Sequence, residues 1–314
     1  MHQEREPAVV VDGLRKTYDE KVAVDEISLR VETGEIFGIL GPNGAGKSTT
    51  VESIAGLRVG DKGRIRVHGI DPWTDRAALT EVLGVQLQES KLQDKITVRE
   101  ALELWSAFYP DPEPWAPLAE RLGLGAHLRQ RFEDLSGGQQ QRLSIALALI
   151  GRPRVVVLDE LTTGLDPRAR REVWDLVRDV RDRGVTVLLV THSMEEAQTL
   201  CDRIAIVDAG RIRALDTPAG LIDSASAATI TTFETSVAID LDALRELDGV
   251  TAVRSENGTV TVEGAEGISL AVIDALRTRG AEPQRLRIAA GTLDAAYLDL
   301  TDTTPDTDAM EALR

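Results

Sequence analysis

Cysteine is almost absent from this sequence, whose 314 residues include a single one, Cys201. One thiol cannot form an intramolecular disulfide, so the chain suits a reducing compartment. Long hydrophobic runs are absent too, because no apolar stretch reaches the roughly 18 residues that a membrane-spanning helix requires. The polar residues that open the sequence also predict no signal peptide. We therefore expect that any role at a membrane depends on a partner protein.

Basic residues are in the minority, because 36 lysines and arginines face 52 aspartates and glutamates, for a net charge of −16. Proteins that bind nucleic acid normally present a basic surface to the phosphates, so this balance argues against a nucleic acid partner. Lysine is especially scarce and occurs only at positions 16, 21, 47, 62, 91 and 95. Few lysines are thus available to bind a phosphate group.

The length of the chain allows two domains, each with its own core. Hydrophobic residues make up 42% and charged residues 28% of the sequence, as in ordinary globular proteins. Small residues become frequent near positions 221–226, which is typical of a linker. We expect a first domain over about residues 1–222 and a second over residues 225–314.

One glycine-rich stretch, Gly41–Thr49, reads Gly-Pro-Asn-Gly-Ala-Gly-Lys-Ser-Thr. An apolar strand is predicted before it, at residues 35–40, and an apolar-faced helix after it, at residues 50–57. Strand, glycine-rich turn and helix form the context of a phosphate-binding loop, in which backbone N–H groups and the helix N-terminus face a polyphosphate. Lys47 is expected to reach the β- and γ-phosphates and Ser48 to bind Mg2+. The nucleotide-binding candidates in this loop are Gly41, Asn43, Gly44, Gly46, Lys47, Ser48 and Thr49.

Two carboxylates follow a continuous apolar run, residues 155–158, that is typical of a buried parallel strand. Asp159 and Glu160 end this run, and ligands bind at the carboxyl ends of strands in open α/β sheets. Asp159 could hold Mg2+, and Glu160 could orient or deprotonate an attacking water; the alternative is a solvated turn. His192 ends a second buried run, residues 185–190, so a phosphate contact is favoured over a purely structural role.

The stretch Ser136–Gly138 and the residue Tyr18 are further candidates for ligand binding. Ser136, Gly137 and Gly138 begin an apolar helix, where unpaired N–H groups favour an anion. Tyr18 precedes the glycine-rich loop and could be half-buried core or an aromatic platform for adenine.

The order and spacing of these motifs, across about residues 8–220, resemble the nucleotide-binding subunit of ABC transporters. The motifs that carry the resemblance are Walker A at Gly41–Thr49, the signature at Leu135–Gln139, Walker B at Val155–Asp159 with Glu160, the D-loop at Gly164–Asp166 and the switch histidine His192. Tyr18 is similar to the adenine-stacking aromatic of the A-loop. Gln88 matches the Q-loop glutamine, with Gln86 as the alternative register. Leu161 stands where the family usually has proline.

This resemblance implies an α/β fold, a P-loop NTPase ABC cassette with a RecA-like core and a helical subdomain at about residues 89–150. It also implies a Mg2+-dependent ATPase that uses ATP and works as a head-to-tail dimer. The implied catalytic residues are Glu160, His192 and Gln88, and the implied Mg2+ contacts are Ser48, Gln88 and Asp159. Each ATP site is then completed by the loop of Ser136, Gly137 and Gly138 from the facing subunit, and Gln139 and Asp166 are also implied to bind the nucleotide.

The resemblance further implies a separate integral-membrane permease as partner and a place on the cytoplasmic face of the cell membrane. The pair would be a homodimer or a heterodimer of cassettes, and the intact motifs of this chain favour the homodimer. The competing class is a soluble ABC ATPase of DNA repair or translation. Such proteins usually carry long coiled-coil insertions or two cassettes, whereas here only 46 residues, 89–134, separate Gln88 from the signature.

The second domain is predicted to fold as β-α-β-β-α-β over residues 228–291, an order that suggests a small α+β ferredoxin-like unit. Asn257-Gly258 is a strong hairpin signal between its middle strands. The segment Leu293–Thr301 resembles the tail of drug- and antibiotic-export ATPases of the daunorubicin-resistance type, which implies export of a drug, an antibiotic or a lipid-like compound. The absence of a catalytic cluster predicts an assembly or regulatory role for this domain.

The second domain is also strongly acidic. Residues 225–314 hold 16 acidic and 7 basic residues, a net charge of −9. The end of the chain, with Asp302, Asp306, Asp308 and Glu311, is expected to be solvated and partly disordered.

Overall fold

The computed structural model describes residues 6–87, 92–224, 229–235, 239–256, 258–264, 267–289 and 292–302. The chain divides into two compact units, Met1–Pro218 and Ala219–Arg314, and each has its own core of buried apolar side chains. Across the described residues, no helix combines the length and apolar character needed to cross a membrane.

The first unit alternates strands and helices along most of its length. Its strands are β1 (Val9–Tyr18), β2 (Lys21–Val31), β3 (Ile36–Leu40), β4 (Lys62–Val67), β5 (Leu83–Gln86), β6 (Val155–Asp159), β7 (Thr186–Thr191), β8 (Arg203–Asp208) and β9 (Arg211–Asp216). Its helices are α1 (Lys47–Ile54), α2 (Arg76–Val82), α3 (Val98–Ser106), α4 (Trp115–Arg121), α5 (Gly137–Leu149), α6 (Pro167–Asp182) and α7 (Met194–Leu200). Helix α8 (Pro218–Ser224) begins at the boundary between the units.

A six-stranded sheet, in the order β5-β6-β7-β3-β8-β9, forms the centre of this unit. All neighbouring strands are parallel except β8 and β9, which are antiparallel. Strands β3, β6 and β7 are buried at every position, which explains why their sequences are continuous apolar runs rather than alternating ones. Because these three strands are parallel neighbours, the segments that follow them emerge at the same edge of the sheet.

A second, antiparallel sheet in the order β2-β1-β4 covers one side of the unit. Its buried side chains, such as Val9 and Ile65, belong to the same apolar core as Phe37, Val157 and Val190 of the central sheet. Helix α1 contacts strands of both sheets. The helix that follows the glycine-rich loop is therefore held on two sides.

Helices α3, α4 and α5 lie between β5 and β6 in the chain and are called the helical part of the unit here. Helices α3, α4 and α5 contact one another, and α5 also contacts β5 and β6 of the central sheet. Helix α3 begins with a capping box, in which Thr97 accepts a hydrogen bond from the Glu100 N–H while the Glu100 carboxylate accepts one from the Thr97 N–H. Helix α5 thus connects the helical part to the strand that ends in Asp159.

The lone cysteine lies in the first unit, directly after α7. Cys201 is buried, and the burial raises the pKa of its thiol. An added side-chain carbon at Gly38 of β3 would lie 2.7 Å from the Cys201 sulfur, so the thiol fills the space that this glycine leaves.

The second unit is an antiparallel α+β fold. Its elements are β10 (Thr229–Glu234), α9 (Leu241–Arg245), β11 (Val250–Glu256), β12 (Thr259–Gly264), α10 (Ile268–Thr278), β13 (Gln284–Ala289) and α11 (Leu293–Asp302). The sheet order is β11-β12-β10-β13, and every neighbouring pair is antiparallel. Strand β12 thus lies between β10 and β11, which is the split β-α-β arrangement of a ferredoxin-like fold.

The core of this unit lies between the sheet and its helices. Phe233 of β10, Val262 of β12 and Val272 of α10 are buried together. Gly258 has a φ of 82° in the tight connection from β11 to β12, where the predicted partner Asn257 lies outside the described residues. Most of the acidic end, including Asp306, Asp308 and Glu311, also lies outside them.

Candidate functional site

The glycine-rich loop connects β3 to α1 and packs against neighbouring strands on its outer side. At Gly46 the backbone has a φ of 101°, and an added side-chain carbon would lie 2.4 Å from the Ala23 carbonyl oxygen. At Gly41 the corresponding distance to the Val207 carbonyl oxygen is 2.1 Å. A larger residue at either position would collide with backbone, so these two glycines are required by the packing of the loop as well as by its turns.

A turn between β8 and β9 supports the loop from behind. The Gly210 N–H donates to the Ala45 carbonyl at 2.9 Å, and the Asp25 N–H donates to the Gly210 carbonyl at 2.8 Å. The Asp25 carboxylate accepts from the Arg211 guanidinium at 2.6 and 2.9 Å. The position of the loop is therefore fixed by both sheets of the unit.

Lys47 is the first residue of α1 and is only 5% exposed. Its ammonium donates to the Gly41 carbonyl at 2.8 Å and to the Pro42 carbonyl at 2.9 Å. Burial lowers the pKa of this ammonium, and the carboxylates of Glu160 and Asp159 oppose that shift. Lys47 thus sits in the centre of the loop with two carboxylates near enough to act on its charge.

A cavity of about 370 Å3 opens over the loop. Its lining combines the loop with residues of β1, β2 and the end of β6, namely Tyr18, Lys21, Ala23, Asn43, Gly44, Gly46, Lys47, Ser48, Thr49 and Glu160. Tyr18 is 37% exposed, and the cationic groups of Arg58 and Lys16 lie 5.4 and 5.7 Å from the centre of its ring. The aromatic ring, the glycine-rich loop and a carboxylate therefore share one cavity.

A larger cavity of about 490 Å3 lies elsewhere in the unit, against α4 and α6. Its arginines are paired with carboxylates, as Arg121 and Arg152 are with Glu113 and Arg183 is with Asp179. A phosphate there would have to displace a carboxylate from an arginine. The smaller cavity, which Lys47 and the rest of the first turn of α1 line, is the better phosphate site.

The carboxylates and the histidine meet at the edge of the sheet, as the parallel strands predict. Asp159 ends β6 and is 4% exposed. Glu160 follows with a φ of 50° and donates its N–H to the Val190 carbonyl at 2.9 Å. Its carboxylate Oε1 lies 3.1 Å from Nδ1 of His192. The left-handed backbone at Glu160 is a strained conformation for a residue with a side chain, and such strain is common at functional sites.

Of the two glutamines that could belong to the predicted Q-loop, the structure describes only Gln86. Gln88 lies outside the described residues. Gln86 ends β5, is 7% exposed, and its Oε1 accepts from the Asp159 N–H at 3.1 Å while its Nε2 donates to the Leu87 carbonyl at 3.1 Å. Gln86 therefore supports the end of β6 from the neighbouring strand, a role that the sequence pattern does not predict.

The signature residues form a tightly capped helix start. Ser136 caps α5, its hydroxyl accepting from the Gln139 N–H at 3.4 Å while the Gln139 Oε1 accepts from the Ser136 N–H at 2.9 Å. Added side-chain carbons at Gly137 and Gly138 would lie 3.3 Å from Leu165 and Ala169. In the described part of the chain, residues 136–139 do not line the cavity over the glycine-rich loop.

Asp166 caps the N-terminus of α6, beside this helix start. Its carboxylate accepts from the Arg168 and Ala169 N–H groups at 2.9 and 3.0 Å, and these bonds lower the pKa of its carboxyl. Ser136, Gly137 and Asp166 are all exposed. None of these three residues lines the cavity over the glycine-rich loop of the same chain.

Comparison with known proteins identifies the family. A family profile described as ABC transporter matches residues 24–163. A daunorubicin resistance ATP-binding protein of Streptomyces coeruleorubidus is 38% identical over 310 residues, which are 94% of this chain and 96% of that protein. The chain belongs to the ATP-binding subunits of ABC transporters.

Other ABC proteins match about two thirds of the chain. A Nod factor export ATP-binding protein I of Rhizobium etli is 40% identical over 221 residues, 69% of this chain and 70% of that protein. Among solved structures, the dimeric post-hydrolysis state of an ATP-binding cassette bound to ADP and Pi is 27% identical, with a TM-score of 0.59, and covers 67% of this chain and 98% of that chain. The predicted P-loop NTPase fold and the predicted ATPase class are confirmed, and the soluble repair or translation class is not favoured.

The donor atoms of this ABC cassette fit Mg2+. Ser48 supplies a hydroxyl in the cavity and Asp159 a carboxylate close enough to act on Lys47, and Mg2+ prefers such hard oxygen ligands. Within the described ranges, no group of three or more His, Cys, Asp or Glu side chains is arranged to hold a metal. A Mg2+ ion here would therefore complete its shell with phosphate oxygens and water, as is usual for this metal.

Proposed function

We propose that the cavity over the glycine-rich loop binds ATP with Mg2+ and that Glu160 and His192 act on the γ-phosphate end. In this assignment Tyr18 stacks on adenine, Lys47 and the loop N–H groups hold the phosphates, and Ser48, Asp159 and Gln88 contact the metal. The observation that carries the proposal is the 3.1 Å contact between Glu160 and His192 at the cavity that Lys47 and Ser48 line. Mg2+, when bound, neutralises phosphate charge. Glu160 then orients or deprotonates the attacking water. His192 holds the Glu160 carboxylate in position and contacts the γ-phosphate.

We infer that the active form is a head-to-tail dimer. Ser136, Gly137 and Asp166 are exposed, and neither Ser136–Gln139 nor Asp166 lines the cavity of its own chain. The N-terminus of a helix favours a phosphate, because its partial positive charge attracts an anion. Facing the cavity of a second subunit, the signature loop would complete the ATP site there, and ATP would bridge the two subunits.

We propose that the partner is an integral-membrane permease, that the chain lies at the cytoplasmic face of the membrane, and that the complex exports a drug, an antibiotic or a lipid-like compound. Support comes from the relative named for daunorubicin resistance, whose likeness covers 94% of this chain and so includes the second unit. Nod factor export proteins support export in general. Two copies of this chain supply every motif of the composite site, which favours a homodimer.

Affinity purification of the chain from its native membranes, after solubilisation in mild detergent, tests this assignment. We expect a polytopic membrane protein to co-purify in a stable ratio and to stimulate ATP hydrolysis. Purification of the chain with duplex DNA or ribosomes at physiological salt, without a membrane protein, would instead support the soluble class.

We also propose that the second unit, from about residue 225 onward, is an assembly or regulatory module. It is a ferredoxin-like fold with its own core, in which buried Thr231 and Ser269 are hydrogen-bonded to each other at 2.9 Å. The ATP-site residues assigned above all come from the first unit. A net charge of −9 on residues 225–314 makes contact between two copies of the module sensitive to salt.

Truncation after Ser224 is expected to leave ATP binding unchanged and to weaken dimerisation or coupling to the membrane partner by about tenfold, equivalent to ~1.4 kcal/mol. Nucleotide affinity is measured by titration with a fluorescent ATP analogue, and dimerisation by sedimentation at two salt concentrations. A truncated protein that is folded by circular dichroism but no longer binds nucleotide would place part of the ATP site in the second unit and contradict the proposal.

A further inference from the structure

A buried carboxylate joins the segment that follows Glu160 to the helix that follows His192. Glu196, in the first turn of α7, is 1% exposed. Its Oε1 accepts a hydrogen bond from the Thr162 hydroxyl at 2.9 Å and another from the Trp174 indole N–H at 3.1 Å. A carboxylate in the protein interior is strongly destabilising unless such donors satisfy it, so these two bonds are needed where Glu196 lies.

The three partners belong to three different elements. Thr162 is two residues after Glu160, on the loop that continues to Asp166, and it is 5% exposed. Trp174 lies on the buried face of α6, and Glu196 is four residues after His192. One oxygen atom therefore joins the loop of Glu160, helix α6 and the helix that follows His192.

The backbone of Glu196 is held as well. Ser193 caps α7, and its hydroxyl accepts from the Glu196 N–H at 3.3 Å. The Ser193 N–H in turn donates to the Thr191 hydroxyl at the end of β7 at 3.0 Å. His192 is thus positioned between a strand end and a capped helix whose first turn is tied to Thr162.

The loop of Glu160 and the loop of His192 consequently contact each other at two levels. The first pair is Glu160 and His192, whose side chains are 8% and 46% exposed. The second pair is Thr162 and Glu196, both buried. Leu161 between Glu160 and Thr162 is 1% exposed, so it adds packing to the same layer.

We infer that Glu196 is a positioning residue for ATP hydrolysis, which sets the distance between Glu160 and His192 through Thr162 and Trp174. The inference rests on the proposed roles of Glu160 and His192. Loss of the buried bond lets the two loops move relative to each other, and small misplacements of reacting groups lower the rate of the chemical step more than they lower substrate binding. Since Asp166 lies on the loop of Thr162, the same bond also orients the surface that meets the second subunit.

The test is Thr162→Val, which keeps the shape of a buried side chain and removes its hydroxyl. We expect kcat for ATP hydrolysis to fall about tenfold or more while KM for ATP changes less than about twofold. Thr162→Ser, which restores the hydroxyl, is expected to recover most of the rate. Trp174→Phe removes the second donor and is expected to change kcat and KM in the same way.

Thr186→Val is the matched control. Thr186 is also fully buried, and its hydroxyl accepts from the Gly34 N–H at 2.9 Å, at the end of β7 opposite His192. Thr162→Val and Thr186→Val should lower the unfolding temperature to a similar degree, whereas only Thr162→Val should lower kcat. Equal effects of both substitutions on kcat, or an unchanged kcat in Thr162→Val, would show that the bond is purely structural.

The failure of this inference can be distinguished from the failure of the proposed function. If Thr162→Val does not fold, an unchanged kcat in Trp174→Phe overturns the inference. If Glu160→Gln keeps the parent rate, the proposed role of Glu160 fails, and that result does not depend on any variant of Thr162 or Trp174.

Discussion

Glu160→Gln is expected to bind ATP as tightly as the parent protein and to hydrolyse it roughly 10²–10⁴ times more slowly, the range that a general base contributes. Glutamine has the shape of glutamate but cannot accept a proton from water. The neighbouring His192, 3.1 Å away, keeps a hydrogen-bonding partner, so the site should remain assembled around ATP. ATP without turnover should then hold two subunits together.

Phosphate release measures the rate of hydrolysis, and equilibrium binding measures the affinity for ATP. Size-exclusion chromatography in the presence of ATP detects the dimer. Glu195→Gln is the matched control, because Glu195 lies in the first turn of α7, is 68% exposed at its side chain, and pairs with Arg170 rather than with a site residue. The control should hydrolyse ATP at the parent rate. Parent-like turnover in Glu160→Gln would show that another group activates the water.

Lys47→Ala is expected to weaken ATP binding itself, by about tenfold to a hundredfold, because hydrogen bonds to charged groups contribute about 1.5–3 kcal/mol each. The ammonium is the cation at the centre of the loop, and its removal leaves the phosphates facing the carboxylates of Asp159 and Glu160. The Gly41 and Pro42 carbonyls also lose their donor. Some loss of thermal stability should accompany the loss of affinity.

Equilibrium binding of a fluorescent ATP analogue measures this effect directly. Lys62→Ala is the control, since Lys62 is exposed at the start of β4 and does not line the cavity. A folded Lys47→Ala protein with parent-like affinity would mean that the backbone N–H groups of the loop bind the phosphates without the lysine.

Most of the fold follows from patterns within single segments. The apolar runs at residues 155–158 and 185–190 predict buried parallel strands, because a strand covered on both faces has no polar side. Parallel strands place their carboxyl ends together, so the proximity of Glu160 and His192 could also be predicted. The split β-α-β order of the second unit follows from the sequence of its elements and the hairpin at Gly258.

The buried network beneath the site could not be predicted in the same way. Ser193 and Glu196 have the spacing of a helix cap, in which the glutamate would be expected at the surface. Glu196 is buried because Thr162 and Trp174 supply donors, and those donors come from segments that meet only in the folded chain. The hydrogen bond that Gln86 accepts from the Asp159 N–H could not be predicted for the same reason, because it depends on β6 lying next to β5.

The buried state of Cys201 makes this protein suited to spectroscopic labelling. Its thiol is the only one in the chain, and burial both shields it from reagents and disfavours the reactive thiolate. A cysteine introduced on the exposed surface of α6 or beside Gly164 would therefore carry a spin label or fluorophore alone, without first removing the native cysteine. Distances between labels on two subunits could then follow the approach of one D-loop to the other during a single turnover.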